Sequence, residues 1–215
     1  MKKDKTDITL VLDRSGSMES VKTDTIGGVN QFINDQKKFP GEANFSLIQF
    51  DDKYDVVFDG KDLQEVQLLT DHTYIPRGMT ALLDAIGKTI ERTGKRLEGL
   101  AEEERPEKVV FVIQTDGYEN YSKQFTTEKI ADMISHQRDI YKWEFVFLGA
   151  NQDAIASAAK IGIQPTHAMT YAHTPVGVAC AFSSFSTNIG NYRSDTVTSA
   201  GYTDEDRKKQ REAGA

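Results

Sequence analysis

The segment VLDRSGSM, residues 11–18, sets Asp13, Ser15 and Ser17 at alternate positions directly after an apolar run. One carboxylate and two hydroxyls are hard oxygen donors of the kind that Mg²⁺ accepts in near-octahedral order while keeping several waters. Such a donor set leaves the ion incompletely neutralised and therefore electrophilic. Gly16 between the serines lets the backbone turn sharply and approach an ion closely. The helix expected to follow adds backbone N–H groups and a positive field, which favour an anionic group arriving at the metal. By itself the triplet has a second reading, because aspartate and serine also favour helix caps and turns.

Two further segments carry compatible donors. QTDGYEN places Asp116 before Gly117 at the end of another apolar run, and PRGMTALLDAI places Thr80 just ahead of a helix beginning near Ala81. Pro76 and Gly78 mark the latter as a rigid loop. Thr80 has both a metal role and a helix-capping role open to it. Glu119 and Asn120 fit either the rim of a site or an ordinary loop, and Arg77 either a contact to an acidic ligand or an exposed loop arginine. Asp51 and Asp52 read as turn residues.

Other chemistries find less support. His72, His136, His167 and His173 lack the paired spacing of a zinc site and read as surface or loop residues. The glycine-flanked serine of a nucleophile elbow is absent around Ser15 and Ser17, as are phosphate-loop and dinucleotide fingerprints. The single cysteine, Cys180, excludes an internal disulfide framework and reads as a small apolar filler on the buried side of the last helix.

The donors need a scaffold. The short apolar runs at Ile8 to Leu12, Phe45 to Phe50, Val109 to Ile113 and Phe145 to Leu148 suit central strands covered on both faces. Helical periodicity links Met18, Val21, Ile26, Val29, Phe32 and Ile33, then Leu82, Leu83, Ile86, Ile90 and Leu97, then Ile130, Met133, Ile134 and Ile140. A short helix is expected over 153–160. Thr174-Pro175 opens a last one by the pattern of an N-cap followed by proline, with Val178, Phe182, Phe185 and Ile189 inward. Tyr54 to Phe58 lies so close to the preceding strand that the two form a hairpin, which suits one antiparallel edge of an otherwise parallel sheet. The order of elements predicts an α/β domain with helices on both faces. If the first and the Val109 strands are neighbours, Asp13 and Asp116 face one ion across a topological switch point.

At 215 residues the chain suits one domain plus a short appendage. Its net charge of −7 argues against wrapping nucleic acid. No stretch approaches the roughly 20 apolar residues of a membrane span, and the charged start lacks a signal-peptide core, so a cytoplasmic protein is expected. Tyr202 to Ala215 is highly charged with almost no apolar residues, and residues 193–215 are expected to be a flexible polar extension.

On Asp13-x-Ser15-x-Ser17, Thr80 after Gly78, and Thr115-Asp116-Gly117, the chain resembles a von Willebrand factor type A domain with a complete metal-ion-dependent adhesion site, of the small stand-alone bacterial and phage kind. The resemblance covers residues 5–192. It implies a three-layer, doubly wound six-stranded sheet of order 3-2-1-4-5-6. It also implies Mg²⁺ or Mn²⁺ held by Asp13, Ser15, Ser17, Thr80 and Asp116, and a partner protein whose Asp or Glu completes the coordination. An AAA-type ATPase, or a host protein in a phage setting, is the kind of partner it suggests, with a chain that is monomeric alone. The expected function is metal-dependent protein binding rather than catalysis. The alternatives are a metal-dependent hydrolase, with Glu119 or His72 as base, and a structural subunit with an architectural metal.

Overall fold

The run Ile8 to Leu12 becomes the centre of β1 (Lys2–Asp13), with β2 (Glu42–Phe50) on one side and β4 (Pro106–Thr115) on the other, both parallel to it. The computed structural model describes residues 1–150 and 153–215. β3 (Tyr54–Asp62) pairs antiparallel with β2, while β5 (Glu144–Ala150) and β6 (Ala168–Tyr171) continue the parallel side. The resulting six-stranded sheet has the order β3-β2-β1-β4-β5-β6, with one antiparallel edge strand, as the sequence leads one to expect.

Side chains alternate across this sheet, and the central strands are apolar on both faces because both are covered. Ile8, Leu10 and Leu12 of β1, Val110 and Val112 of β4 and Val146 and Leu148 of β5 face α1 (Lys22–Gln36) and α5 (Pro175–Arg193). Val11, Phe111, Ile113, Phe145 and Phe147 face α2 (Leu82–Glu98), α3 (Thr127–Tyr141) and α4 (Ala154–Lys160). In α5 the expected inward residues Val178, Phe182, Phe185 and Ile189 are all buried, and Thr174 caps the helix by accepting the Gly177 N–H at 3.1 Å. Gly28 of α1 makes the close α1–α5 approach possible, since a Cβ there would lie 2.3 Å from the Phe182 ring. Cys180, expected to be inward on α5, is only partly buried.

The last stretch of chain contains a helix that composition alone does not suggest. After α5, α6 (Asp204–Glu212) starts at a capping box between Thr203 and Asp206. Its buried Gln210 accepts the Ala172 N–H and donates to Gly177 O, and Arg207 donates to Ala168 O and Pro165 O. These are side-chain bonds rather than apolar packing, which is why no hydrophobic periodicity announces the helix. Among the described residues, no helix is long and apolar enough to cross a membrane.

Candidate functional site

Asp13 ends β1, and Thr115 ends β4 beside it, so the two carboxyl-terminal strand ends meet where the sheet order reverses. The chain turns immediately after Asp13. Ser15 N–H donates to Asp13 Oδ1 at 2.7 Å, and Thr115 Oγ1 donates to Asp13 Oδ2 at 2.6 Å. A 3-10 turn over Gly16–Val21 leads into α1, starting the expected helix more tightly than its periodicity implies. That turn brings Ser17 Oγ to 2.7 Å from Asp116 Oδ1 and 3.1 Å from Ser15 Oγ. Asp13, Ser15, Ser17 and Asp116 thus form one linked set of oxygens, drawn from segments about a hundred residues apart.

Burial dominates the electrostatics. Asp13 is fully buried, and loss of water raises its pKa to about 6 despite the Thr115 and Ser15 hydrogen bonds, with the Asp116 charge pushing the same way. Beneath the pair lie two buried phenols. Tyr74 donates its O–H to Asp13 O at 2.6 Å, and Tyr171 accepts from Gln114 Nε2 at 2.6 Å. Both phenol pKa values stand well above normal, first through burial and then through the negative charge of Asp13 and Asp116. Burial thus disfavours the charged form of Asp13 and of both phenols, with the neighbouring carboxylates pushing the same way.

A second set of bonds fixes the surrounding loops. Asp51 is fully buried and accepts from Arg14 Nε at 3.1 Å, from Arg77 Nε at 2.9 Å and from the Lys53 N–H at 2.6 Å. Its backbone carbonyl accepts the Ala81 N–H. One side chain thereby ties the Asp13 loop, the β2–β3 hairpin and the Thr80 loop together, a larger role than the turn residue expected from sequence. Thr80 is buried, and its backbone exchanges hydrogen bonds with Asn120. A Cβ added at Gly117 would lie 3.4 Å from Thr80 Oγ1 and 4.0 Å from Ser17 Oγ, so both hydroxyls border the same small cradle. Thr80 does not cap α2, whose N-cap is Ala81 without a side-chain bond. Glu119 does that work instead, taking the Leu83 N–H at 2.8 Å together with Ser122 and Tyr121 donors. Its carboxylate, a candidate base in the reading of the sequence, is occupied by these donors. His72 sits exposed in the 70–74 turn.

Two participants escape a reading of sequence. His173, in the loop leaving β6, places Nε2 3.0 Å from Asp116 Oδ2. Its only signal is topological, since that loop leaves the same end of the sheet as the others. Arg14, the middle residue of Asp13-x-Ser15, is buried and paired with Asp51 and with Asp55 at 2.6 Å.

The structure corrects one expectation. A complete metal-ion-dependent adhesion site is not found: among the described residues no group of three or more His, Cys, Asp and Glu side chains gathers to hold a metal ion. The physical reason lies in the donors. Asp13 and Asp116 are joined by hydroxyls rather than further acids, each is already engaged within the chain, and Glu119 is turned to the start of α2.

A doubly wound sheet with an oxygen-lined cluster at its switch point defines the class of domain. The chain belongs to the von Willebrand factor type A domain family, whose family model matches residues 7–177. Among solved structures it is similar to proximal thread matrix protein 1 from the mussel byssus, at 16% identity and TM-score 0.59, over 90% of this chain and 48% of that one. The same mussel protein with a zinc-occupied MIDAS motif aligns at 19% identity and TM-score 0.59, over 88% of this chain and 47% of that one. The vWF domain of the type V pili tip protein Mfa5 from Porphyromonas gingivalis aligns at 12% identity and TM-score 0.61, over 86% of this chain and 94% of that one. This chain thus spans about half the length of the mussel protein (48%), and identities this low bear on the fold alone. No curated protein matches the sequence.

Proposed function

We propose that this chain is a protein-binding module whose binding centre is the Asp13–Asp116 cluster, and that it engages an acidic side chain of a partner through a divalent cation, Mg²⁺ or Mn²⁺. The supporting observation is the spacing of the oxygens. Ser17 Oγ lies 2.7 Å from Asp116 Oδ1 and 3.1 Å from Ser15 Oγ. Neighbouring oxygens around an octahedral ion with bonds of about 2.1 Å would stand about 3.0 Å apart. Asp13 and Asp116 would supply the charge, Ser15 and Ser17 the neutral donors, and Thr80 a further hydroxyl. A bound cation would give the face a positive charge able to coordinate a partner's Asp or Glu carboxylate. The mussel structure with zinc in the corresponding motif lends further support.

The chain's own residues do the remaining work. Thr115 and the Ser15 N–H orient the Asp13 carboxylate, Tyr74 fixes the backbone at Asp13, and Asp51 holds the flanking loops in register. Calorimetric titration with MgCl₂ and MnCl₂ tests the proposal. Wild type is expected to bind one equivalent, and Asp13→Ala none while remaining folded. Capture from a lysate should then retain a partner with wild type in Mg²⁺ and release it in EDTA. Equal cation binding by Asp13→Ala, or a partner held equally in EDTA, would overturn the mechanism.

A further inference from the structure

Lys2, Lys22, Lys38, Lys108 and Lys208 each pair with a carboxylate. Lys53, Lys88 and Lys123 form no ion pair among the described residues, yet all three line one cleft of about 230 Å³ between the β2–β3 hairpin, the start of α2 and the 121–124 loop. Two aromatic rings of the same cleft hold them. Lys88 Nζ stands 5.9 Å from the centre of the Tyr54 ring, and Lys123 Nζ 4.4 Å from that of Tyr121, to whose hydroxyl it donates at 3.3 Å. A ring face positions an ammonium group without cancelling its charge. The two carboxylates on the lining are turned to other work. Asp84 accepts the N–H groups of Lys123, Gln124 and Phe125 at 3.0, 2.9 and 3.0 Å, which fixes that wall of the cleft. Asp52 points to Gly78, where an added Cβ would lie 2.1 Å from its Oδ1. In a chain of net charge −7, the cleft is thus locally positive.

We infer that this cleft binds the phosphoryl group of a phosphorylated serine or threonine on a partner protein. Charge selects the group. A phosphorylated side chain carries about −1.5 to −2 at pH 7 and three strong acceptor oxygens, and three ammonium groups supply both the charge and the donors to match it. A single carboxylate brings less charge and one oxygen fewer. Size narrows the choice further. Clefts for drug-sized ligands run to roughly 300–1,000 Å³, so this smaller one suits a single charged group rather than a nucleotide. Lys53, Tyr121, Lys123 and Gln124 are exposed at its mouth, which lets the group arrive on a longer chain. Nucleic acid fits poorly, because the net negative charge of the protein repels a polyanion. Neither Asp13 nor Asp116 lines the cleft, so the phosphoryl group is held with or without a cation on that cluster.

The test uses the full chain in EDTA and three fluorescein-labelled peptides, identical but for a central phosphoserine, glutamate or serine, titrated by fluorescence anisotropy. The phosphoserine peptide is expected to bind about tenfold more tightly than the serine peptide, and about threefold more tightly than the glutamate one. Lys88→Gln/Lys123→Gln should weaken the phosphoserine peptide about tenfold with Tm within about 2 °C of wild type, whereas Lys88→Arg/Lys123→Arg should retain it. Lys208→Gln/Lys209→Gln removes the same charge from the exposed face of α6 and should change nothing. Equal binding of the phosphoserine and serine peptides, or equal losses in the two glutamine variants, would overturn the cleft as a site. A glutamate peptide bound as tightly as the phosphoserine one would overturn the phosphoryl group as its occupant. Inorganic phosphate that competes with the affinity of the peptide itself would overturn the protein-borne ligand in favour of the free ion.

Discussion

Asp51→Asn probes how the site is held together. In the native structure, Asp51 Oδ2 receives both Arg14 Nε and Arg77 Nε, and the two arginines differ sharply in setting. Arg14 has a side chain only 7% exposed, whereas Arg77 is 46% exposed. Breaking a buried pair costs about 3–5 kcal/mol, because an uncompensated charge stays buried. Arg14 keeps its 2.6 Å contact to the half-exposed Asp55, so the lower end, about 3 kcal/mol, is expected for Asp51→Asn. In a domain of this size that is a fall in Tm of roughly 6–12 °C. Arg77→Ala removes the solvent-screened partner from the same carboxylate and should cost under about 1 kcal/mol. Differential scanning calorimetry on both variants, with chelator present, separates the two. Mn²⁺ affinity in Asp51→Asn should also weaken several-fold, since Arg14 lies between two proposed donors. An Asp51→Asn protein melting within about 2 °C of wild type, or an Arg77→Ala protein as unstable as Asp51→Asn, would refute the keystone role.

Two adjacent glycines should respond oppositely. Gly28→Ala, with its Cβ directed 2.3 Å from the Phe182 ring, should destabilise by about 1–3 kcal/mol, while Gly27→Ala, with nothing within 4 Å, should stabilise by about 0.4–1 kcal/mol; urea midpoints decide both. Phe185, fully buried between α1 and the sheet, should cost about 3–5 kcal/mol when replaced by alanine, measured the same way. Acid should loosen the end of the chain. Glu144 and Asp206 have pKa values below the ordinary carboxylate range, through His167, Ala200 and Ser199 for the first and Asn188 and Thr203 for the second, against burial. For a depressed pKa the stabilisation is present above the unfolded value and lost as pH falls through the folded one, so stability should drop below about pH 4. Glu144→Gln and Asp206→Asn should flatten that drop in pH-dependent melting, and an unchanged slope would exclude these groups as its source.

The central strands were legible because burial on both faces writes short apolar runs, and the closeness of β2 and β3 leaves room only for a hairpin; the order of the strands followed from the family resemblance, not from the runs. Asp13, Ser15, Ser17 and Asp116 were legible as a set because strand ends at a switch point converge. His173 was not, because a lone histidine in a loop has no periodicity to place it. Asp51 was read as a turn residue because its partners, Arg14 and Arg77, are distant in sequence and their pairing depends on the fold. α6 was hidden for another reason: its attachment runs through Gln210, Arg207 and Asp206, and polar side chains carry no hydrophobic signature. The expectation of a complete adhesion site is not met, because among the described residues no group of three or more His, Cys, Asp and Glu side chains gathers to hold a metal ion.

The central claim is that a divalent cation on the Asp13–Asp116 cluster receives a partner's carboxylate, and water-proton relaxation with Mn²⁺ addresses it most directly. Wild type is expected to give a saturable enhancement at one Mn²⁺ per chain, reduced when an aspartate-bearing peptide displaces coordinated water, and absent in Asp13→Ala. A relaxation rate that never departs from free Mn²⁺, or an Asp13→Ala protein that matches wild type, would contradict the claim.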